Sequence, residues 1–194
     1  MAREEARSRV RRGERVSPSR VRFADLAGEW IAGQTAVLRP GSLRSYRDAL
    51  RCHVLPRFGH LRVDQVREDD VATLVAELTA QRLAGATVAN VLVPVGRILD
   101  RAVRRGLISS NPVRRLERHE RPRVVHREMR VLGREEIAAL LEVAEEPYRT
   151  LFATGIFTGL RIGELLGLTW ADVALQAGLV HVRRQIARTA PAYR

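Results

Sequence analysis

Thr158-Gly159-Leu160-Arg161-Ile162-Gly163-Glu164-Leu165-Leu166-Gly167-Leu168-Thr169-Trp170-Ala171-Asp172-Val173 is the stretch on which the reading of this chain turns. Arginine fills 34 of the 194 positions and lysine none, yet between residues 151 and 170 the only charges are Arg161 and Glu164. An Arg set in an apolar run must be paired if it is buried, because an uncompensated buried charge costs several kcal/mol. Glu164 stands at i+3, within reach on one helical face. Three readings compete. As a membrane span the run has the right length, and Gly155, Gly159, Gly163 and Gly167 repeat every fourth position as in packed transmembrane helices. Against it, each central charge is unfavourable by about 2.5 to 3.5 kcal/mol on insertion scales. As a buried helix pair, Arg161 and Glu164 form a structural bridge. As a phosphate clamp, Gly159 breaks one helix and Arg161 opens the next with its fork aimed at a phosphodiester.

On the N-terminal side of this stretch, Ile137, Leu140, Leu141 and Ala144 mark a helical stripe, and Pro147 ends or restarts it before residues 148–157 lead into the box. Downstream, Gly178 precedes Leu179-Val180-His181-Val182-Arg183, an alternating β-branched run that predicts a strand. Upstream, residues 113–130 carry seven Arg, three Glu and a Pro without an apolar stripe, which reads as an exposed basic linker.

Four amphipathic helices precede the linker. Phe23, Leu26, Ala27, Trp30 and Ile31 mark the first, ended by Pro40-Gly41. Ser42 is the expected N-cap of the second, with Leu43, Tyr46, Leu50 and Val54 inward and a stop before Pro56. Asp69 and Asp70 suit the start of the third, whose stripe is Val71, Leu74, Val75 and Leu78. Gly85 separates it from the fourth, with Val88, Val91, Leu92, Val95, Ile98, Leu99, Ala102 and Val103 inward. Pro94 predicts a kink there or a later true start. Arg44, Arg47 and Arg51 form a row on the second helix, and Arg97, Arg101 and Arg104 face outward on the fourth. Such rows suit phosphate tracking and suit an ordinary solvated face equally. Residues 1–22, with eight Arg and three Glu, read as a tail.

The formal charge of +12 and pI near 11.4 point to a polyanion partner, although surface charge alone is also plain solvation. Cys52 is the single cysteine, which excludes internal disulfides and cysteine metal sites and suits a reducing cytosol; it reads as a small apolar residue.

Thr158-Gly159-Leu160-Arg161, followed by Glu164-Leu165 and Leu168-Thr169-Trp170-Ala171-Asp172, closely resembles the first conserved box of the tyrosine recombinases, the phage integrase family. Ser42-Leu43-Arg44-Ser45-Tyr46-Arg47 and the ending from Ala102 to Pro112 resemble that family's core-binding domain. The resemblance implies a mainly α fold: a four-helix, SAM-like core-binding domain at residues 20–106, followed by a truncated α+β tyrosine-recombinase catalytic domain at 131–194. A basic arm at 1–19 and a basic linker at 107–130 complete the expected organisation. It further implies that Arg161 holds the scissile phosphate with Glu164 as acidic support. Ser42, Arg44, Arg47, Arg51, Thr87, Asn90, Arg97 and Arg101 become candidate contacts to double-stranded DNA. The implied function is the DNA-binding and N-terminal catalytic portion of a site-specific integrase acting in DNA integration and recombination. No cofactor, metal, membrane or small-molecule substrate is expected. Other recombinase protomers on DNA are expected partners, and the cytoplasm the expected location. The alternative is a non-catalytic DNA-binding regulator or remnant derived from an integrase.

The family's Lys on a strand turn, its later His-x-x-Arg pair and its Tyr nucleophile find no match, so the chain by itself is expected to be inactive. His181-Val182-Arg183-Arg184 spells His-x-x-Arg but falls on the expected strand, where i and i+3 face opposite sides. Tyr193 has no second Arg or base beside it to serve as a nucleophile. Tyr46 and Tyr148 are read as packing residues.

Overall fold

A computed structural model describes residues 20–125 and 128–186. The basic arm and Tyr193 lie outside the described residues. Contacts divide the chain into two units, Met1–Arg127 and Glu128–Arg194.

The first unit is helical. Its helices are α1 (Phe23–Gln34), α2 (Pro40–Ala49), α3 (Glu68–Ala80), α4 (Gly85–Arg104) and the single turn α5 (Pro112–Arg115). Each apolar stripe read from the sequence turns inward. Phe23, Leu26, Val71, Leu74, Val88, Val95, Ile98 and Leu99 are all buried in one core cluster. The chain enters that core along residues 60–63, where Phe23 N–H donates to the Leu61 carbonyl at 2.9 Å and Val63 N–H to the Val21 carbonyl at 3.0 Å.

Four expectations about this unit change. First, α1 ends at Gln34, well before Pro40. Second, Pro40 begins α2 instead of ending α1, and Arg39, not Ser42, is the residue ahead of the helix. The first helical position suits proline, since its missing N–H would have had no partner there and its φ is already helical. Third, α2 does not stop before Pro56. It widens into a π-turn at Leu50–Val54 and closes with one more α-turn, Leu55–Phe58. Leu55 N–H bonds to the Leu50 carbonyl, five residues back, which lets the helix pass a proline that cannot donate to residue 52. Fourth, of the kink or late start expected at Pro94 the late start does not occur: α4 runs from Gly85 through a fully buried Pro94 to Arg104. Packing of eight buried residues on this helix outweighs the single lost backbone bond.

The core also extends beyond residue 106, into the segment read as linker. Ile108, Asn111, Pro112 and Leu116 are buried. Asn111 explains the turn: its Oδ1 accepts from Val113 N–H at 3.0 Å, capping α5, while its Nδ2 donates to the Gly96 carbonyl at 2.9 Å and to Asp100 at 2.8 Å. Arg114 then forks onto Asp100 through two bonds of 2.8 and 2.7 Å. The Arg114 hydrogen bond holds the Asp100 carboxyl below its ordinary range.

The second unit holds α6 (Arg134–Val143), α7 (Tyr148–Thr158), the single turn α8 (Ile162–Leu165), and a hairpin of β1 (Val173–Ala174) with β2 (Leu179–Val180). The strands pair antiparallel, Val173 opposite Val180 and Ala174 opposite Leu179, around Gly178 at φ +61°. The strand expected over 179–183 therefore pairs only across its first two residues. The α6 stripe of Ile137, Leu140, Leu141 and Ala144 is half-buried. Among the described residues of this unit no large apolar side chain is fully buried, and Phe157, Trp170 and Leu175 are each more than three-quarters exposed. Tyr148 is exposed as well, with its ring 6.3 Å from Phe152. Tyr46, in the first unit, packs on Trp30 at 5.8 Å.

Candidate functional site

The box of residues 158–173 folds as a helix end, a single helical turn and a hairpin. Gly159, at φ +69°, closes α7 in the left-handed region that glycine occupies without steric cost. Arg161 is then extended and stands immediately ahead of α8. Its own N–H donates to Glu164 Oε2 at 3.0 Å, and its Nη1 donates to Oε1 at 3.1 Å. The two residues meet as their spacing predicts, but not in a core. Arg161 is 84% exposed while Glu164 is 17% exposed, so the carboxylate is tucked under the turn and most of the five-donor fork faces solvent. A short segment with one shallow layer of packing cannot enclose a guanidinium, and the pairing serves to aim the side chain. The Arg161 backbone N–H is the main cause holding the Glu164 carboxyl below its usual range, against partial desolvation, with the guanidinium adding its bond and charge.

The returning chain of residues 184–186 braces this turn. Ile186 N–H donates to the Gly163 carbonyl at 2.8 Å. A side chain on Gly163 would lie 2.8 Å from the Ile186 oxygen, and one on Gly167 would lie 2.9 Å from the Arg184 oxygen. Gly163 and Gly167 of the repeat thus admit a neighbouring backbone of the same chain. No helix among the described residues is long and apolar enough to cross a membrane.

Asp172 does not stand out in the sequence, although Thr169-x-x-Asp172 has capping-box spacing. It is 1% exposed and accepts from Thr169 N–H at 3.0 Å, Thr169 Oγ1 at 2.7 Å and Arg184 at 3.2 Å, with Arg183 at 3.7 Å. The Thr169 hydroxyl is the leading cause of its lowered pKa. Arg184, the arginine of the His181-x-x-Arg spelling, is therefore spent on Asp172. His181 contributes its backbone N–H to the Asp172 carbonyl at 2.8 Å.

In the first unit, a groove of about 440 Å³ runs between α2 and α4. Ser42, Thr87 and Asn90 all line it, together with Ser45, Asp48, Cys52 and His53. Cys52 is exposed there and fills no core. The Arg row does not line the groove. At about 100° per residue, Arg47 sits roughly 200° around the helix from Ser45, so Arg44, Arg47 and Arg51 flank α2 on its other side. Arg51 pairs with Asp48 at 3.7 Å, and Arg44 is half-buried and engaged. On α4, Arg97 is exposed and shares an outward stripe with Asn90. Arg101 turns aside instead, sharing Glu29 of α1 with Arg105 at 3.7 and 2.5 Å. Among the described residues, neither Arg47 nor Arg97 takes part in an ion pair within 4 Å, and no group of three or more His, Cys, Asp or Glu is placed to hold a metal ion.

The fold is a helical unit followed by a second unit of helices and a two-stranded hairpin, which carries the exposed, carboxylate-pinned Arg161. Residues 23–119 match the family described as the phage integrase central domain, and the chain belongs to the phage integrase family. Among curated relatives, the prophage integrase IntR of Escherichia coli K12 is 33% identical over 100 residues, 52% of this chain and 24% of the relative. The ICEBs1 integrase of Bacillus subtilis 168 is 22% identical over 164 residues, 82% of this chain and 44% of the relative. The chain thus spans less than half the length of either. Among solved structures, the Tn1549 transposon integrase, residues 82–397, in complex with circular intermediate DNA superposes with a TM-score of 0.73 at 18% identity. That match covers 85% of this chain and 55% of the other, and it establishes likeness of fold.

Proposed function

We propose that this chain is the DNA-binding and phosphate-gripping portion of a site-specific tyrosine recombinase, and that its partner is double-stranded DNA. The observation that carries the reading is Arg161. A guanidinium held at its base by a tucked carboxylate and otherwise exposed is preorganised for bidentate contact with a phosphodiester. In the reaction class this family implies, a tyrosine oxygen attacks phosphorus, the bond to the 5′ oxygen breaks, and a 3′-phosphotyrosyl link forms while the 5′ hydroxyl leaves. Arg161 would neutralise the charge that builds on the non-bridging oxygens in that step. Glu164 would hold Arg161 in place without touching the phosphate. The groove residues Ser42, Thr87 and Asn90 offer neutral hydrogen-bonding groups, and the flanking Arg47 and Arg97 offer charge for phosphates.

The test pairs binding with cleavage. In a recombinase that joins this chain to a segment carrying the nucleophile, Arg161→Ala is expected to abolish strand cleavage on a nicked suicide duplex while duplex affinity stays within a few-fold. Cleavage that survives Arg161→Ala would overturn the assignment. Duplex binding with no cleavage by any such joined protein would favour the DNA-binding regulator instead.

A further inference from the structure

The segment after α5 does not leave the first unit as free chain. It folds back over α3 and the start of α4 as a strap, residues 116–124. Leu116 is buried in the core. Glu120 N–H donates to the Glu117 carbonyl at 3.1 Å and Glu117 N–H to the Glu120 carboxylate at 2.8 Å, closing a turn. Arg121 then reaches back, its Nε donating to the Leu116 carbonyl at 3.0 Å and its Nη2 to the Arg114 carbonyl at 3.3 Å. Beneath the strap lies a groove of about 800 Å³ walled by Ala72, Thr73, Ala76 and Thr79 of α3.

The strap ends on Gly85. A β-carbon there would lie 2.0 Å from the Arg123 carbonyl oxygen, 2.6 Å from its carbon and 3.2 Å from Val124 N. All three are backbone atoms, which cannot swing away as a side-chain tip does. Gly85 is not among the glycines with positive φ, so its backbone is open to any residue and only the strap demands glycine. The position also begins a helix of 20 residues, whose partial positive charge favours a carbonyl oxygen lying over it.

We propose that Gly85 is the seat of this strap, and that the seated strap keeps residues 116–124 out of the tether between the two units. The seating stands on the contacts alone. Its consequence for DNA rests on the proposed function: two units that grip one duplex bind as a bivalent ligand, and the effective concentration of the second falls with tether length. Releasing residues 116–124 adds them to the free length, which lowers the effective concentration by its −3/2 power dependence.

Hydrogen exchange of the whole chain tests the seat without DNA. The wild-type peptide spanning 116–124 is expected to be protected. Gly85→Ala should raise its exchange on the order of tenfold or more while α4 stays protected, because alanine suits a helix start and only the strap is displaced. Arg121→Ala, which removes the two bonds that tie the strap back to the Leu116 and Arg114 carbonyls and leaves α4 untouched, should do the same and decides the matter if Gly85→Ala does not fold. A wild-type strap that exchanges like free chain, or one that stays equally protected in the variants, overturns the seat. If the strap opens but affinity for a long duplex is unchanged, the tether role is overturned. A wild-type chain that binds no duplex, with a protected strap, sinks the DNA reading and leaves the seat intact.

Discussion

Arg161 and Glu164 show how three residues of sequence spacing become an aimed side chain. The carboxylate spends one oxygen on the Arg161 backbone and the other on its guanidinium, so the base of the Arg is anchored while its fork is open. Lysine offers a point charge without the planar fork, and Arg161→Lys should leave cleavage severely impaired in the joined recombinase assay. The pH dependence has a defined sign. Glu164 is lowered from its ordinary 4.5, so the stability it contributes is fully present above that value and is lost as pH falls through the lower folded value. The chemical shift of the Arg161 amide should therefore titrate with a midpoint below 4.5, and Glu164→Gln should remove the transition. A midpoint at or above 4.5 would mean that the carboxylate does not accept this bond. Asp172 escapes recognition at this scale because an Asp two residues past a Trp carries no sign of burial until Thr169 and Arg184 close on it.

Individual elements reveal where local sequence rules yield to packing. By those rules Pro40, Pro56 and Pro94 are stops or breaks, yet all three lie within helical structure: Pro40 at a helix start, Pro56 just after a π-turn, Pro94 in mid-helix. Pro40 loses no bond at its position, while at Pro56 and Pro94 the helix keeps an apolar face whose burial outweighs one missing backbone bond. Ile98 sits on that face in α4 and is fully buried, so Ile98→Ala should cost about 2 to 5 kcal/mol in a urea melt. Asn111→Ala would remove one donor each from the Gly96 carbonyl and Asp100 and leave Val113 without its cap. Its expected cost is about 1 to 3 kcal/mol by the same measurement, with no change in the melt's slope. An Asn111→Ala protein as stable as the wild type would show that α5 is held without Asn111.

For the molecule as a whole, two quantities separate what charge does from what packing does. The net charge of +12 is spread over arginines in unlike circumstances. Arg101 is engaged with Glu29 and Arg51 with Asp48, whereas Arg47 and Arg97 are exposed and outside any such pair among the described residues. Salt-titrated binding to a random duplex should show this. Replacing Arg47 and Arg97 together by Ala should flatten the log-log slope by about 2, at about 0.9 for each phosphate that is no longer neutralised. Arg101→Ala should change the slope less and should destabilise the first unit. Equal slopes for the double variant and wild type would remove Arg47 and Arg97 from the interface. Protection against hydrogen exchange should differ as sharply between units. The helices of 23–104 surround a closed core, while the described residues of 128–186 bury no large apolar side chain and should open far more readily.

Spacing along the chain is enough to specify the helical stripes and the Arg161 box: periods of 3.6 residues, an i+3 pair, a glycine shortly before an arginine. Composition is enough for the basic character. The rest arises only on folding. Which arginines are engaged depends on acids brought near from other elements, as with Glu29 beside Arg101 and Arg105. The packing of the supposed linker depends on Asn111 finding Gly96 and Asp100 across a turn. The need for glycine at 85, 163 and 167 comes from the backbone of Arg123, Ile186 and Arg184 respectively, each distant along the sequence. No periodicity encodes a partner at such separations, since the contact exists only once both segments have packed against the same helix or turn.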